Sequence, residues 1–202
     1  MQIEDSFLTI AQPKEALFKD RGSKFFGFGF PVDNEEDVKF YLQNLREIHP
    51  KATHHCYAYR LGLDRNNFRA NDDGEPAGSA GKPILNVLYA QNLTNVLVVV
   101  VRYFGGSLLG VPGLINAYKQ TTIDVLAEAE IVTGFVNETY QLHYEYTLMN
   151  DIMKIVKAHE LKIIQQLFDN ECMLKIEVRK SMSELVLGKL EKIEGLGIVA
   201  AK

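Results

Sequence analysis

Three carboxylates crowd one glycine: Asp72 and Asp73 precede Gly74, and Glu75 follows it. Oxygen ligands at this density could hold a hard cation, but the alternating ligands and closing glutamate of a calcium loop are missing. A turn built by Asp-Gly, its carboxylates capping backbone N–H groups, is the simpler reading, and no metal site is expected. His54 and His55 add titratable nitrogens. Neighbours on a strand point to opposite faces, so the pair cannot easily share one metal, although one imidazole could serve as a base. The candidate catalytic residues are therefore His54, His55, Asp72, Asp73 and Glu75. A basic set, Arg21, Lys24, Arg60, Lys82 and Arg102, stands beside two Gly-rich segments or on adjoining strands. Converging, these side chains would grip phosphate or carboxylate; otherwise they pair with the three acids. Tyr103 and Phe104 offer faces on which a base could stack, or simply core.

The second Gly-rich segment, with Gly105, Gly106, Gly110 and Gly113, joins an apolar run to a helix. A helix start can bind an anion through its free N–H groups and dipole. The segment is not a P-loop, because Val111 stands where the lysine belongs, and its glycine spacing is not the dinucleotide fingerprint. Tight turns and close helix–strand packing explain the same glycines. Ser79, within Gly78-Ser79-Ala80-Gly81, does not form a nucleophile elbow. Cys56 falls inside a strand and reads as a small buried hydrophobe.

Positioning these residues requires an ordered scaffold. Strands are expected over Phe7–Ile10, Lys24–Val32, 55–60 and Asn95–Tyr103. The last, with the unbroken apolar run Val96–Val101, should be central and buried on both faces. Asp33 and Glu36 have capping-box spacing for a helix that buries Val38, Tyr41, Leu42, Leu45 and Ile48. A long loop is expected from Asp64 to Gly81, then helices from Pro83 to about Gln91 and from Leu114 to Glu130, the latter closed by Thr133-Gly134. Beyond it come a strand over Thr139–Tyr146, a helix over Leu148–Glu160, a hairpin of Leu161–Phe168 and Cys172–Arg179 turning at Asp169-Asn170, a helix over Met182–Ile193 and a strand over Gly197–Ala201. That order, β-α-β-β-α-β, is ferredoxin-like. The division is expected at residues 1–132 and 137–202.

The chain has 202 residues, 47% of them hydrophobic, enough for a large core or two small ones. A net charge of −4 rules out a strongly basic nucleic-acid module. Two cysteines, Cys56 and Cys172, make no disulfide framework and read as reduced thiols of a cytoplasmic protein. The opening residues lack the regions of a signal peptide. The longest apolar run falls far short of the ~20 residues a membrane span needs, so no membrane partner is expected.

Four segments resemble one family in order: Arg21-Gly22-Ser23-Lys24-Phe25, residues Ala52 to Tyr59, residues Asp72 to Leu85, and Val100-Val101-Arg102-Tyr103-Phe104-Gly105-Gly106. Over about residues 15–125 the chain is similar to the YigZ/IMPACT family, and residues 138–200 resemble the small domain that bacterial members append. The resemblance implies an α+β fold. Its N-terminal domain would be like the second domain of ribosomal protein S5, and its C-terminal domain ferredoxin-like, a pair similar to two domains of elongation factor G. Eukaryotic relatives regulate translation, partly through a further domain absent here. The chain departs from the family at Leu108, a common lysine, at Asn116, a common arginine, and at Pro112, a usual glycine.

The expected function is a non-enzymatic regulatory or binding protein linked to translation, contacting RNA, the ribosome or a translation-associated protein, with no cofactor. Arg21, Lys24, Arg60, Lys82 and Arg102 would meet anionic groups, Tyr103 and Phe104 would stack, and Gly105 and Gly106 would shape the surface. The alternative is an enzyme acting on a small phosphorylated or nucleotide-like molecule in the cleft between the Gly-rich loops, with a histidine as base and an acid from 72–75.

Overall fold

A computed structural model describes residues 5–63, 66–168 and 172–201. It is a mixed α/β chain of two compact units, one spanning Phe7–Gly134 and the other made of residue 135 onward together with Asp5 and Ser6.

The first unit is built on five antiparallel strands: β2 (Lys14–Asp20), β3 (Ser23–Pro31), β4 (His54–Arg60), β5 (Phe68–Asn71) and β6 (Val96–Tyr103), in the order β2-β3-β6-β4-β5. The apolar run of β6 lies at the centre, and both of its faces are buried. Val96, Val98 and Val100 face a core shared with α2 (Gly81–Ala90) and α3 (Gly110–Ala127), whereas Leu97, Val99 and Val101 pack with Val38 and Leu45 of α1 (Glu35–Ile48). Period-two alternation in a strand covered on both sides produces two cores from one continuous apolar sequence. A two-stranded sheet of β1 (Ser6–Ile10) and β7 (Ile131–Phe135) completes the β-structure of this part of the chain.

Several local expectations are corrected. The capping box lies one residue further on: Asn34 Oδ1 accepts from the Asp37 N–H and Asp37 Oδ2 accepts from the Asp33 N–H, both at 2.9 Å. The long loop contains β5, and its residues 64 and 65 lie outside the described set. α2 starts at Gly81 and α3 at Gly110, each ahead of its proline, because a first-turn proline gives up an N–H that had no helical partner. α3 stops at Ala127, and Thr133 and Gly134 belong to β7.

The second unit follows the βαββαβ order: β8 (Asn137–Tyr144), α4 (Met149–Ala158), β9 (Lys162–Leu167), β10 (Cys172–Arg179), α5 (Lys180–Leu190) and β11 (Gly197–Ala201). Its antiparallel sheet runs β11-β8-β10-β9, the split-βαβ arrangement. Leu142, Leu174, Ile176 and Val178 meet Ile152 and Val156 of α4 and Val186 and Leu190 of α5 in one core. The turn expected at Asp169-Asn170 lies outside the described residues. α5 has no side-chain cap at its own N-terminus. Asp5 supplies one, accepting from Ser181 N at 2.8 Å and from Arg179 Nε and Nη2 at 2.8 and 2.7 Å. The Arg179 guanidinium holds the Asp5 carboxyl well below the usual carboxylate range and lies 3.9 Å from the centre of the Phe135 ring.

Candidate functional site

β4 and β6 lie side by side with His54 opposite Arg102, so both side chains arise at one end of the sheet. The loop after β5 brings Glu75 to the same place, and α3 brings Tyr118. Arg102 Nη1 donates to Glu75 Oε1 at 2.5 Å, and the Tyr118 hydroxyl donates to the same oxygen at 2.7 Å. The Arg102 and Glu75 side chains are 6% and 3% exposed, so this ion pair is a dry one. Cys56 Sγ lies 3.0 Å from the Asp72 carbonyl oxygen and 3.3 Å from the Tyr118 hydroxyl. Burial pushes both the Cys56 thiol and the Tyr118 phenol far up, so both remain protonated donors. A thiol held this way is not a nucleophile.

The carboxylates at 72–75 are committed to three separate tasks. Asp72 accepts the N–H groups of Gly78, Ala80 and Gly81 at 2.8, 3.0 and 2.8 Å, folding the first Gly-rich loop onto the start of α2, which has no other side-chain cap. Asp73 accepts from His55 N at 2.6 Å and from Arg46 Nη2 at 2.8 Å. Glu75 takes Arg102. The Asp-Gly turn forms at Asp73-Gly74, both at positive φ, and is closed by the Glu75 N–H donating to the Asp72 carbonyl at 2.9 Å, while the Asp72 and Asp73 carboxylates both accept backbone N–H groups.

The two histidines face opposite sides, as strand alternation requires. His54 Nδ1 lies 2.8 Å from the Asp73 carbonyl oxygen. A carbonyl only accepts, so Nδ1 carries a proton, and Nε2 lies 3.9 Å from Glu75 Oε1. His55 is buried on the α1 side. Burial, and then the Arg46 charge, hold its pKa below the ordinary imidazole value.

The five basic residues do not converge. Arg60 stands at the far end of β4 from His54, about 20 Å of strand away; it is buried, donates to the Leu93 carbonyl at 2.6 Å and lies over the Tyr89 ring. Arg102 is buried in its pair with Glu75. Lys82 is exposed on the first turn of α2, beside a groove of about 720 Å³ between α2 and α3 that also holds Lys119. Lys24 remains with Tyr103 and Phe104, bordering a pocket of about 370 Å³ with Gly22 and His49, and Arg21 is exposed next to it in sequence. Of the two aromatics, Tyr103 is half-buried, bonds His49 through its hydroxyl at 2.9 Å and meets Phe26 edge-on. Phe104 is 46% exposed, with the Arg102 guanidinium 5.5 Å from the centre of its ring.

Gly105 has a packing role. A Cβ there would overlap the Gly22 carbonyl and Ser23 N, and the Gly105 N–H donates to Ser23 Oγ at 3.1 Å. Two backbones meet at that point, which only glycine permits. Gly105→Ala is expected to cost about 2 kcal/mol by overpacking, readable as a lowered denaturation midpoint. Gly106, in contrast, has open space around it and a φ of +86°.

Both Gly-rich segments contribute to one cavity of about 420 Å³. Thr53, His54, Glu75 and Arg102 border it on one side, and the loop from Phe104 into α3 borders it on the other. The sequence reading assigns Tyr118 no role at this site, and meets Leu108 and Val111 only as departures, from the family pattern and from a P-loop. A tyrosine on the stripe that α3 buries was the available signal, because a buried hydroxyl needs a partner.

Residues 21–126 match the Impact N-terminal domain. Over 198 residues the chain is 31% identical to the IMPACT family member YvyE of Bacillus subtilis, covering 94% of this chain and 91% of that protein. It is 32% identical to YigZ of Escherichia coli, with 85% of each covered. Protein IMPACT of Oryctolagus cuniculus matches 45% of this chain at 44% identity, over 30% of its own length. A crystal structure of a hypothetical protein, 29% identical, superposes with a TM-score of 0.75 over 99% of both chains. The four spaced motifs, their assembly around one sheet end and near full-length similarity to bacterial relatives agree: the chain belongs to the IMPACT family.

Proposed function

We propose that this chain is a non-enzymatic regulatory protein of translation, acting in the cytoplasm by binding a ribosomal or other translation-associated partner through the rim formed by its two Gly-rich loops. The observation that carries this reading is the contrast between the interior and the rim of the site. Inside, Glu75, Asp72, Asp73, Arg102 and Tyr118 are all engaged with one another or with backbone, which suits a scaffold more than a reacting centre. Outside, Arg21, Lys24, Phe104 and Leu108 are exposed, a cationic and aromatic rim suited to a polar partner. Membership of the IMPACT family, with the regulation of translation that the resemblance implies, agrees with this. We further read the first unit as like the second domain of ribosomal protein S5 and the pair of units as like elongation factor G, with the division between 132 and 137. No described helix is long and apolar enough to cross a membrane.

The test is co-sedimentation of the purified chain with ribosomes at low and moderate salt. Binding that weakens with salt and falls about tenfold in the double variant Arg21→Glu, Lys24→Glu supports the reading. No co-sedimentation at low salt, or equal binding by the variant, overturns it.

A further inference from the structure

The groove of about 720 Å³ between α2 and α3 is separate from the loop rim, since none of Arg21, Lys24, Phe104 and Leu108 borders it. Two regular rows of side chains form its walls. α3 contributes Ile115, Lys119 and Ile123, and α2 contributes Pro83, Val87 and, at its C-cap, Gln91. Each row runs i, i+4, i+8 and is therefore about 12 Å long. On α3 the row is a second apolar stripe. Leu114, Tyr118 and Val125 already supply the face buried in the core, yet Ile115 stays 39% exposed and Ile123 is half-buried. The outward side of a surface helix is normally polar. Charge on the groove is of one sign. The chain holds 26 acidic residues against 22 basic, but no carboxylate borders the groove. Its charged groups are Lys82 and Lys119, both exposed, and neither has an ion-pair partner among the described residues.

An occupant matched to this groove must bring apolar surface and negative charge together. The spacing of the walls selects its form. Rows at i, i+4 on two neighbouring helices leave between them a channel into which the i, i+4 ridge of a third helix fits. A helix laid in a groove anchors at i, i+3 or i+4, and i+7, a span of about 10 Å that matches the rows. We propose that the groove receives one amphipathic helix of a protein partner. The apolar stripe of that helix covers Ile115 and Ile123 against Val87, and acidic residues flanking the stripe face Lys82 and Lys119. This surface is additional to the one that would meet a translation partner, and its test does not depend on ribosome binding.

The experiment follows backbone amide shifts of the full chain by NMR during titration with a capped peptide of about 18 residues, long enough to hold a helix. The peptide carries leucine at i, i+3, i+4 and i+7 spacing and glutamate on both flanks of that stripe. Its shifts should saturate and centre on Lys82 to Gln91 and Ile115 to Ile123. A peptide with lysine in place of each glutamate should bind about tenfold more weakly, the difference that two exposed charge pairs make. A peptide of the same composition with its leucines scattered should also lose about tenfold, because the apolar contact is broken up. The double variant Lys82→Glu, Lys119→Glu changes exposed helix positions, one of them in a first turn where an acid favours the dipole, so it should denature with the parent. Its preference should reverse, the lysine peptide now binding the more tightly. Absence of saturating shifts at these amides, or an unchanged preference in the double variant, overturns the site. Equal binding by the scattered peptide overturns the helix. Octanoate that displaces the glutamate peptide at equal concentration overturns a protein partner in favour of a small aliphatic acid. Shifts at the same amides on concentrating the chain alone assign the groove to a second copy and overturn a separate partner.

Discussion

Replacing Glu75 with alanine is expected to cost about 3–5 kcal/mol, the penalty for breaking a buried ion pair from one side. The loss is large because of what remains. Arg102 would be left with a buried charge and no carboxylate, while the Tyr118 hydroxyl would lose its acceptor. Cation–π contacts of the Arg102 guanidinium with Phe25 and Phe104, at 5.4 and 5.5 Å, offset only part of that. Chemical denaturation of the single variant measures the cost, and the double variant Glu75→Leu, Arg102→Leu separates its origins. Removing both charges together should recover most of the loss, because a well-packed apolar pair of similar volume is often as stable as a buried ion pair. If Glu75→Ala denatures like the parent, the pair does not hold this end of the sheet together.

Asp72→Ala should be the next most damaging, at about 3–4 kcal/mol. Its carboxylate accepts three backbone N–H groups, two of them at the start of α2, and hydrogen bonds to a charged group are among the stronger ones in proteins. Asp72→Asn should recover part of the loss, since the amide oxygen can still accept while the charge facing the helix dipole is gone. Denaturation curves of the three proteins should therefore order as parent, Asn, Ala. An alanine variant indistinguishable from the parent would refute the assignment of Asp72 as the anchor of this loop.

The central features of the fold were legible because they rest on periodicity. Val96–Val101 could only be a strand covered on both sides, and adjacent His54 and His55 could only diverge. The β-α-β-β-α-β order of the C-terminal part followed from alternating runs and turns. Edge structure escaped the reading. β2 alternates half-buried with exposed positions and carries charge along its length, and β5 is four residues with only one partner strand, so neither shows the apolar contrast that marks a strand. Site residues were legible by type more than by place. Arg60 lies close to His54 in sequence, yet an extended strand moves it to the other end of the sheet. Arg102 reads as a surface cation until Glu75, 27 residues earlier, is folded beneath it. Tyr118 reads only as one residue of the helix after the second Gly-rich segment, and nothing in its position assigns its hydroxyl a task.

The clasp between Asp5 and Arg179 joins positions 174 residues apart in the chain. It sets an order of events during synthesis. A growing chain presents Asp5 well over a hundred residues before the guanidinium it pairs with and the α5 N–H it caps. The unit spanning Phe7–Gly134 has all of its strands in hand long before then and can close first. Asp5 thus waits for its partner while that unit forms, and a C-terminal half produced alone would begin life with α5 uncapped.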